Sequence, residues 1–270
     1  MIDLRILIRG SNDTGSAVAH RLFSAGYAVA IHDISQPTTT RRKMAFSDAV
    51  FDGHAILDGV EARRIDELLL LHGILVEHEY IPVTVLKFPI LSEALRPHVL
   101  VDARMRKHLQ PEVQRGLAPL SIGLGPNFVA GETTDLAIET AWGETLGRVI
   151  TQGLTNPLRG EPKELGGHAR DRYVYAPCSG TFRTRFHPGD AVEQGQEIAL
   201  IGLTTLQAPL DGLLRGIVRD GVPVITKTKV VEVDPRGTNA QISGIAERPA
   251  RIAEGVLQAI QTWEQTHHAD

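Results

Sequence analysis

The sequence predicts an α/β protein in which a parallel sheet with helices on both faces is followed by a small all-β unit and a C-terminal helix. Three observations predict it. Residues 5 to 33 read as strand, glycine turn, amphipathic helix and second strand ending on an acid, which is the pattern of a nucleotide-binding βαβ unit. Short apolar runs then alternate with helical segments as far as residue 124, and such alternation builds parallel sheets. After Ile150 the texture changes to glycine- and proline-rich sequence and then to an internal repeat.

The first strand leads into Gly10 and Gly15, which take the first and last places of a G-x-G-x-x-G turn, while Asn12 stands at the middle glycine. A helix is predicted from Thr14 or Ser16 to about Ala25, with Val18, Leu22 and Phe23 on one side and Gly26 as its stop. It feeds a strand, Ala28 to Ile31. Residues 35 to 42 are too polar for core and read as a loop before a helix from Met44 to Val50. Asp58-Gly59 between half-apolar runs marks a hairpin over Ala55 to Ile65, read as a decoration on the crossover. Helices at Asp66–Leu71 and Leu91–Leu95 and strands at Pro82–Leu86, Val99–Asp102 and Leu120–Gly123 continue the alternation. These elements make a Rossmann-like domain of residues 1 to about 155.

Residues 156 to 172 read as a linker. Beyond it, Ala176-Pro177-Cys178-Ser179-Gly180-Thr181-Phe182-Arg183 returns thirty-two residues later as Ala208-Pro209-Leu210-Asp211-Gly212-Leu213-Leu214-Arg215. Gly189 and Val192 match Gly221 and Val224 in the same register, and Ile198 and Ile201 match Val230 and Val233. Two copies suggest a pseudo-two-fold pair of strand layers. Residues 173 to 236, with a Pro-x-x-Gly turn in each half and Gly189-Asp190-Ala191-Val192, resemble the flattened barrel of biotinyl and lipoyl domains. Such carriers place a modified lysine in the hairpin between the halves, and here residues 202 to 207 contain none, so no biotin or lipoate is expected. In the remaining segment, 237 to 270, Ile252, Val256, Leu257, Ile260 and Trp263 form one stripe of a helix. That helix is expected to pack back on one of the two domains.

Among 270 residues the net charge is −4, a balance that calls for neither nucleic acid nor an anionic membrane as partner. The single cysteine, Cys178, excludes an internal disulfide and a multi-cysteine metal site and fits a reducing compartment. The N-terminus has no basic stretch followed by an apolar one, and the apolar runs fall below the ~18 residues of a membrane helix. A cytoplasmic protein is expected. The histidines show no H-x-x-x-H or H-E-x-x-H pairing, and neither a G-x-S-x-G elbow nor a Walker loop occurs. No metal site is expected.

The candidate ligand residues gather at the carboxyl edge of the predicted sheet. The loop Gly10, Ser11, Asn12, Asp13, Thr14 and Gly15 would offer backbone amides to a phosphate, although the Asn12 side chain and the Asp13 carboxylate compete for them. Asp33, eighteen residues after Gly15, falls near the position that holds a ribose. Arg41 and Arg42, behind Thr38, Thr39 and Thr40, read either as phosphate contacts or as a solvated surface. Asp102 and Arg104 end a strand, where a ligand contact and a strand-end salt bridge are alternatives. Gly123, Gly125 and Asn127 form a rigid turn whose amides point to the same edge, and Glu139 and Thr140 follow as candidate lining.

Taken together, the Gly10 loop, Gln36-Pro37-Thr38 with Arg41-Arg42, Asp102-Ala103-Arg104-Met105, Ile122-Gly123-Leu124-Gly125-Pro126 and Ala208-Pro209 with Gly212 resemble the selenium-dependent molybdenum hydroxylase system accessory proteins, distant relatives of xanthine dehydrogenase accessory factors. The resemblance runs nearly the whole chain in the same order. It implies a role in molybdenum hydroxylase maturation, by handling or delivering the molybdopterin cofactor or a sulfur or selenium ligand on it, with the molybdenum hydroxylase as client; the residues at the sheet edge are expected to bind that cofactor or a nucleotide such as NAD(P). The chain departs from the family pattern at Asn12 and Asn127, where glycine is usual, and at Trp142-Gly143-Glu144, where the family has Arg-Gly-His. Two other functions fit the same residues. One is an NAD(P)-dependent oxidoreductase of small carbonyl substrates, with Asp102, Arg104 and Glu139 as acid–base candidates; the other is a protein-docking scaffold.

Overall fold

The computed structural model describes residues 4–106, 109–158 and 162–267. It divides into two compact units, one of Met1–Ser35, Ala45–Arg159 and Ile245–Asp270 and one of Gln36–Met44 and Gly160–Gly244. The division is not the linear one expected from sequence. Residues 36–44 belong with the all-β unit, and so do residues 237–244, while the C-terminal helix belongs with the α/β unit.

In chain order the α/β unit begins with β1 (Arg5–Arg9), α1 (Asp13–Ser24) and β2 (Ala28–His32), followed by α2 (Ala49–Asp52), β3 (His54–Leu57), β4 (Val60–Arg64) and α3 (Leu68–Glu77). It continues with β5 (Ile81–Thr84), α4 (Phe88–Leu95), β6 (Val99–Asp102), β7 (Leu120–Leu124), β8 (Val129–Ala130), β9 (Leu136–Ile138), β10 (Val149–Ile150) and β11 (Gly153–Leu154). Nine of these strands form one sheet in the order β10-β9-β7-β6-β1-β2-β5-β4-β3. The seven inner strands are parallel, and only the edges β3 and β10 run antiparallel.

Strand periodicity explains the layers. Ile6, Ile8, Val29, Ile31, Val99 and Val101 point to one face, and Leu7, Ala28, Ala30 and Leu100 to the other. The strands are apolar on both sides because both faces are covered. The first face packs against α1, α2 and the C-terminal helix, and the second against α3 and α4. From β1 the chain builds outward in two opposite directions, through β2 and β5 on one side and through β6 and β7 on the other. The sheet therefore has its switch point between β1 and β6.

Several elements differ from the sequence reading. The Asp58-Gly59 hairpin is present, with both residues at positive φ (44° and 85°) as a two-residue turn of this type requires. It is no decoration, because β4 pairs with β5 and buries Ala62 completely. The helix expected over Met44–Val50 is a 3-10 turn, Arg42–Met44, and the single-turn α2, since the Phe46 amide donates to Ser16 Oγ (2.8 Å) instead of a helical carbonyl. Asp66 stays outside α3 because its Oδ1 accepts from the Val85 amide (3.0 Å) at the end of β5. Residues 153–155, at the end of the expected domain, are built in: β11 pairs with β8, and Thr155 Oγ1 donates to the Gly125 carbonyl (3.0 Å).

The all-β unit contains β12 (Tyr173–Tyr175), β13 (Gly180–Arg183), β14 (Ala191–Val192), β15 (Glu197–Ile201), β16 (Thr204–Gln207), β17 (Gly212–Ile217), β18 (Pro223–Val224) and β19 (Lys229–Asp234). They form two antiparallel sheets, β12-β19-β17-β14 and β16-β15-β13-β18. Exchanging each strand for its repeat mate, β12 for β16, β13 for β17, β14 for β18 and β15 for β19, turns one order into the other. The register agrees: Gly180 lies opposite Val224, and Gly212 opposite Val192. Tandem sequence copies have thus become two sheets that each borrow strands from both halves.

Arg41 is tied into this unit. It donates through Nε and Nη2 to both oxygens of Glu232 (2.9 Å each), which is wholly buried and also receives Arg172 (2.6 Å), Lys229 (3.0 Å) and Arg215 (3.5 Å). Burial alone would favour the protonated acid, but Lys229, Arg41 and Arg215 hold Glu232 well below its ordinary range. Arg42 donates to the Ile217 carbonyl (3.1 Å). These contacts are why residues 36–44 fold with the β unit.

The last helix, α5 (Glu247–His267), belongs to the α/β unit and buries Ile252, Val256, Leu257 and Ile260 against its core. Tyr27 Oη donates to Glu264 (2.6 Å), and Arg21 pairs with Glu254 (2.5 Å) across α1 and α5. Among the described residues no helix is long and apolar enough to cross a membrane.

A buried carboxylate facing four cations is costly to remove. Glu232→Gln is expected to destabilise the β unit by about 3–5 kcal/mol, seen as a lower urea midpoint. An unchanged midpoint would contradict the role given to this network.

Candidate functional site at the switch point

Five adjacent parallel strands end in one row, Thr84, His32, Arg9, Asp102 and Gly123. Ligands of open α/β sheets bind outside such carboxyl ends, at the point where strand order reverses, here between Arg9 and Asp102. Gly10 and Gly15 make the turn possible. Gly10 has φ +110°, and a Cβ on Gly15 would stand 2.0 Å from the Gly10 carbonyl oxygen. Only glycine lets α1 start so close to the strand.

The loop amides of Gly10, Ser11, Thr14 and Gly15 are already engaged. Asn12 caps α1, its Oδ1 accepting from the amides of Thr14 (3.0 Å) and Gly15 (3.1 Å), and its Nδ2 donates across the switch point to the Ala103 carbonyl (2.7 Å). Asp13 Oδ1 accepts from the Thr14 amide as well (3.0 Å). Asp33, expected to hold a ribose, accepts from the Ser11 amide (2.7 Å), the Ser11 hydroxyl (2.5 Å) and the Ile34 amide (2.7 Å). The side chain at the middle glycine position thus takes the hydrogen bonds of two amides at the helix start.

The turn after β7 is built for packing. A Cβ on Gly123 would fall 2.3 Å from the ring of Phe128, and Gly125 takes φ +114° beside the Met105 side chain. Asn127 has φ 75° and donates to the Leu109 carbonyl (3.2 Å). Glu139 is buried with its two oxygens accepting from the amides of Ala141 and Asn156 (2.7 Å each), which holds two loops together. Thr140 is also buried, and its carbonyl accepts from Arg248 (2.7 Å). Arg41 and Arg42 lie in the other unit, with the partners given above.

Charge is concentrated instead on Arg9, Asp102, Arg104, Arg106 and Glu112. Arg104 grips buried Asp102 in a two-pronged pair (Nε to Oδ1, 2.9 Å; Nη2 to Oδ2) and reaches Glu112 Oε2 (2.9 Å). Arg106 donates to Glu112 Oε1 (2.9 Å), and Arg9 to Glu112 Oε2 (3.3 Å) and to Gln114 Oε1 (2.8 Å). Arg9 is 8% exposed and stacks over Phe88 at 3.9 Å, and its Nε is buried without a hydrogen-bond partner. Beside it His32, whose Nε2 donates to the Leu86 carbonyl (2.9 Å), is pushed toward its neutral form by burial and by the Arg9 charge. Desolvation and the neighbouring Arg104 charge also depress the Arg9 pKa.

Sequence reading found Asp102 and Arg104 but missed Arg9, Glu112 and Gln114. Arg9 had a signal: an arginine closing an apolar strand immediately before the glycine turn must project at the carboxyl edge. Glu112 and Gln114 lie in an irregular segment with no period to place them. Among the described residues no group of three or more His, Cys, Asp or Glu side chains could hold a metal ion. Two depressions lie elsewhere, an open one of about 840 Å³ between α4 and the segment 116–119, and one of about 330 Å³ beside Glu139 and Asn156.

No family model matches the chain. It is 37% identical over 255 residues to the uncharacterized protein YqeB of Escherichia coli strain K12, an alignment covering 94% of this chain and 47% of YqeB. The chain therefore spans about half the length of the curated relative it matches. Among solved structures, the product-bound and apo forms of the ectoine utilization protein EutE (DoeB) from Ruegeria pomeroyi are 12% and 10% identical, with TM-scores of 0.24 and 0.25. Each match covers 85% of this chain, and 84% and 85% of those chains. Likenesses this low carry no argument about fold or function.

The bond from Arg104, then the bonds and charges of Arg106 and Arg9, hold Glu112 down to about 2 from its ordinary 4.5. The stabilisation from this contact is fully present above pH 4.5 and lost as pH falls toward 2. An NMR titration of the Glu112 carboxyl is expected to show a midpoint near 2 that moves up toward 4.5 in Arg104→Ala. A wild-type midpoint near 4.5 would contradict the cluster. Asn12→Ala is expected to cost about 1–2 kcal/mol, from the lost cap and the lost bond to Ala103, measured by thermal or urea unfolding.

Proposed function

We propose that this chain is an accessory protein of molybdenum hydroxylase maturation that binds a phosphate-bearing small molecule, the molybdopterin cofactor or a nucleotide, at the carboxyl edge of a Rossmann-like domain. The β unit is then a biotinyl/lipoyl-like barrel without the modified lysine, a reading supported by its repeat and by the two-fold exchange of its strands. One observation carries the ligand reading: three guanidinium groups, Arg9, Arg104 and Arg106, converge on a half-exposed carboxylate at the switch point of the sheet. Guanidinium groups suit phosphate because their planar donors match its oxygens. The resemblance in sequence supports the maturation role and names the client as a molybdenum hydroxylase.

This reading moves the anion from the helix amides to the arginine side chains. Gly10 and Gly15 keep the architectural task of letting α1 approach β1, and Asn12 fixes the spacing between the two sides of the crevice. Nothing in the geometry favours the oxidoreductase, because Asp102 and Arg104 neutralise one another and both Glu139 oxygens are held by amides.

Isothermal titration with the molybdopterin cofactor, NADP, NAD and ADP tests the proposal. Heat is expected from at least one of them, and Arg9→Ala is expected to weaken that binding tenfold or more. No heat from any would overturn it.

A further inference from the structure

We infer that the Glu112 carboxylate occupies the position of the ligand's own anion, and that this anion is a terminal phosphomonoester and not a pyrophosphate diester. The inference rests on the reading of the switch point as an anion site and specifies the chemical group that the site takes.

Three observations lead to it. Three amides of the loop that would cradle a pyrophosphate are engaged within the chain, Thr14 and Gly15 by Asn12 and Ser11 by Asp33. What remains is a set of three guanidinium groups aimed at a space the size of one carboxylate, with both Glu112 oxygens within 2.9 Å of a donor. Glu112 itself is 54% exposed at its side chain, whereas Arg9 beneath it is 9% exposed and keeps one buried nitrogen without a partner. Arg9 and Arg104 are held within the protein, and Glu112 is the member that can turn out to solvent.

Charge then selects the ligand. With Glu112 turned away, Arg9, Arg104 and Arg106 against Asp102 leave two positive charges. A phosphomonoester carries about −1.5 to −2 near pH 7 and presents three terminal oxygens, one for each guanidinium. Each phosphoryl of a pyrophosphate diester carries a single negative charge, so one seated in this space leaves one positive charge unbalanced. Displacing Glu112 is inexpensive because its carboxylate moves into water, while the buried Arg9 charge exchanges one anion for another.

AMP and NAD separate the two chemistries, since both carry an adenosine 5′-phosphate that is a monoester in the first and part of a diester in the second. Isothermal titration of the full chain is expected to show AMP bound at least tenfold more tightly than NAD. Glu112→Gln, which removes the competing charge at an exposed position, is expected to tighten AMP a further fivefold or more. Arg106→Ala, exposed as well, is expected to weaken AMP in both backgrounds. Circular dichroism of each variant checks that the fold is retained. NAD bound as tightly as AMP, or no gain in Glu112→Gln, overturns the inference and leaves an anion site of another kind. No heat from either ligand in either protein overturns the inference, whereas the reading on which it rests falls only if the molybdopterin cofactor, NADP and ADP are silent as well.

Discussion

The α/β unit depends on a close approach: the start of α1 passes so near the end of β1 that a single methyl group on Gly15 would collide with the Gly10 carbonyl. That contact fixes where the first crossover begins, and the strands on either side of β1 are then laid down in opposite directions. The crevice between β1 and β6 follows from it. Asn12 spans the crevice, capping the helix with one end of its amide and holding Ala103 with the other. The residue that stabilises this junction is the same one that occupies the amides of Thr14 and Gly15.

Two carboxylates show how burial separates a locked charge from one that can move into water. Glu232 has no exposure and four cationic partners, so it is locked in place and fixes residues 36–44 in the β unit. Glu112 has three arginine partners but stands half in solvent. Both acids are held below their ordinary pKa. Only the second could exchange its place with an incoming anion without leaving a buried charge unpaired.

Much of the fold was legible because it rests on local chemistry. Short apolar runs located β1, β2, β6 and β7, Asp58-Gly59 specified a hairpin turn, and the thirty-two-residue repeat specified matched strands. The rest depended on contacts far apart in sequence. Nothing local places β4 beside β5, or sends Arg41 to a carboxylate 191 residues away. At the site, a glycine fingerprint states that a turn is tight but not what its amides bind. A short polar side chain at the middle position, Asn12, decided that, and its spacing before the helix is that of a cap. Arg9 went unrecognised because a charged residue at a strand end reads as the end of the strand, although its burial under Phe88 makes it the centre of the cluster.

The central claim is that an anion at this crevice is held by arginine side chains and not by the helix terminus. A crystal structure of the chain grown with a phosphomonoester tests it most directly. The account predicts a phosphoryl group between Arg9, Arg104 and Arg106 with Glu112 turned to solvent and the Asn12 cap intact. A phosphoryl group on the amides of Thr14 and Gly15, with Asn12 displaced, would contradict it.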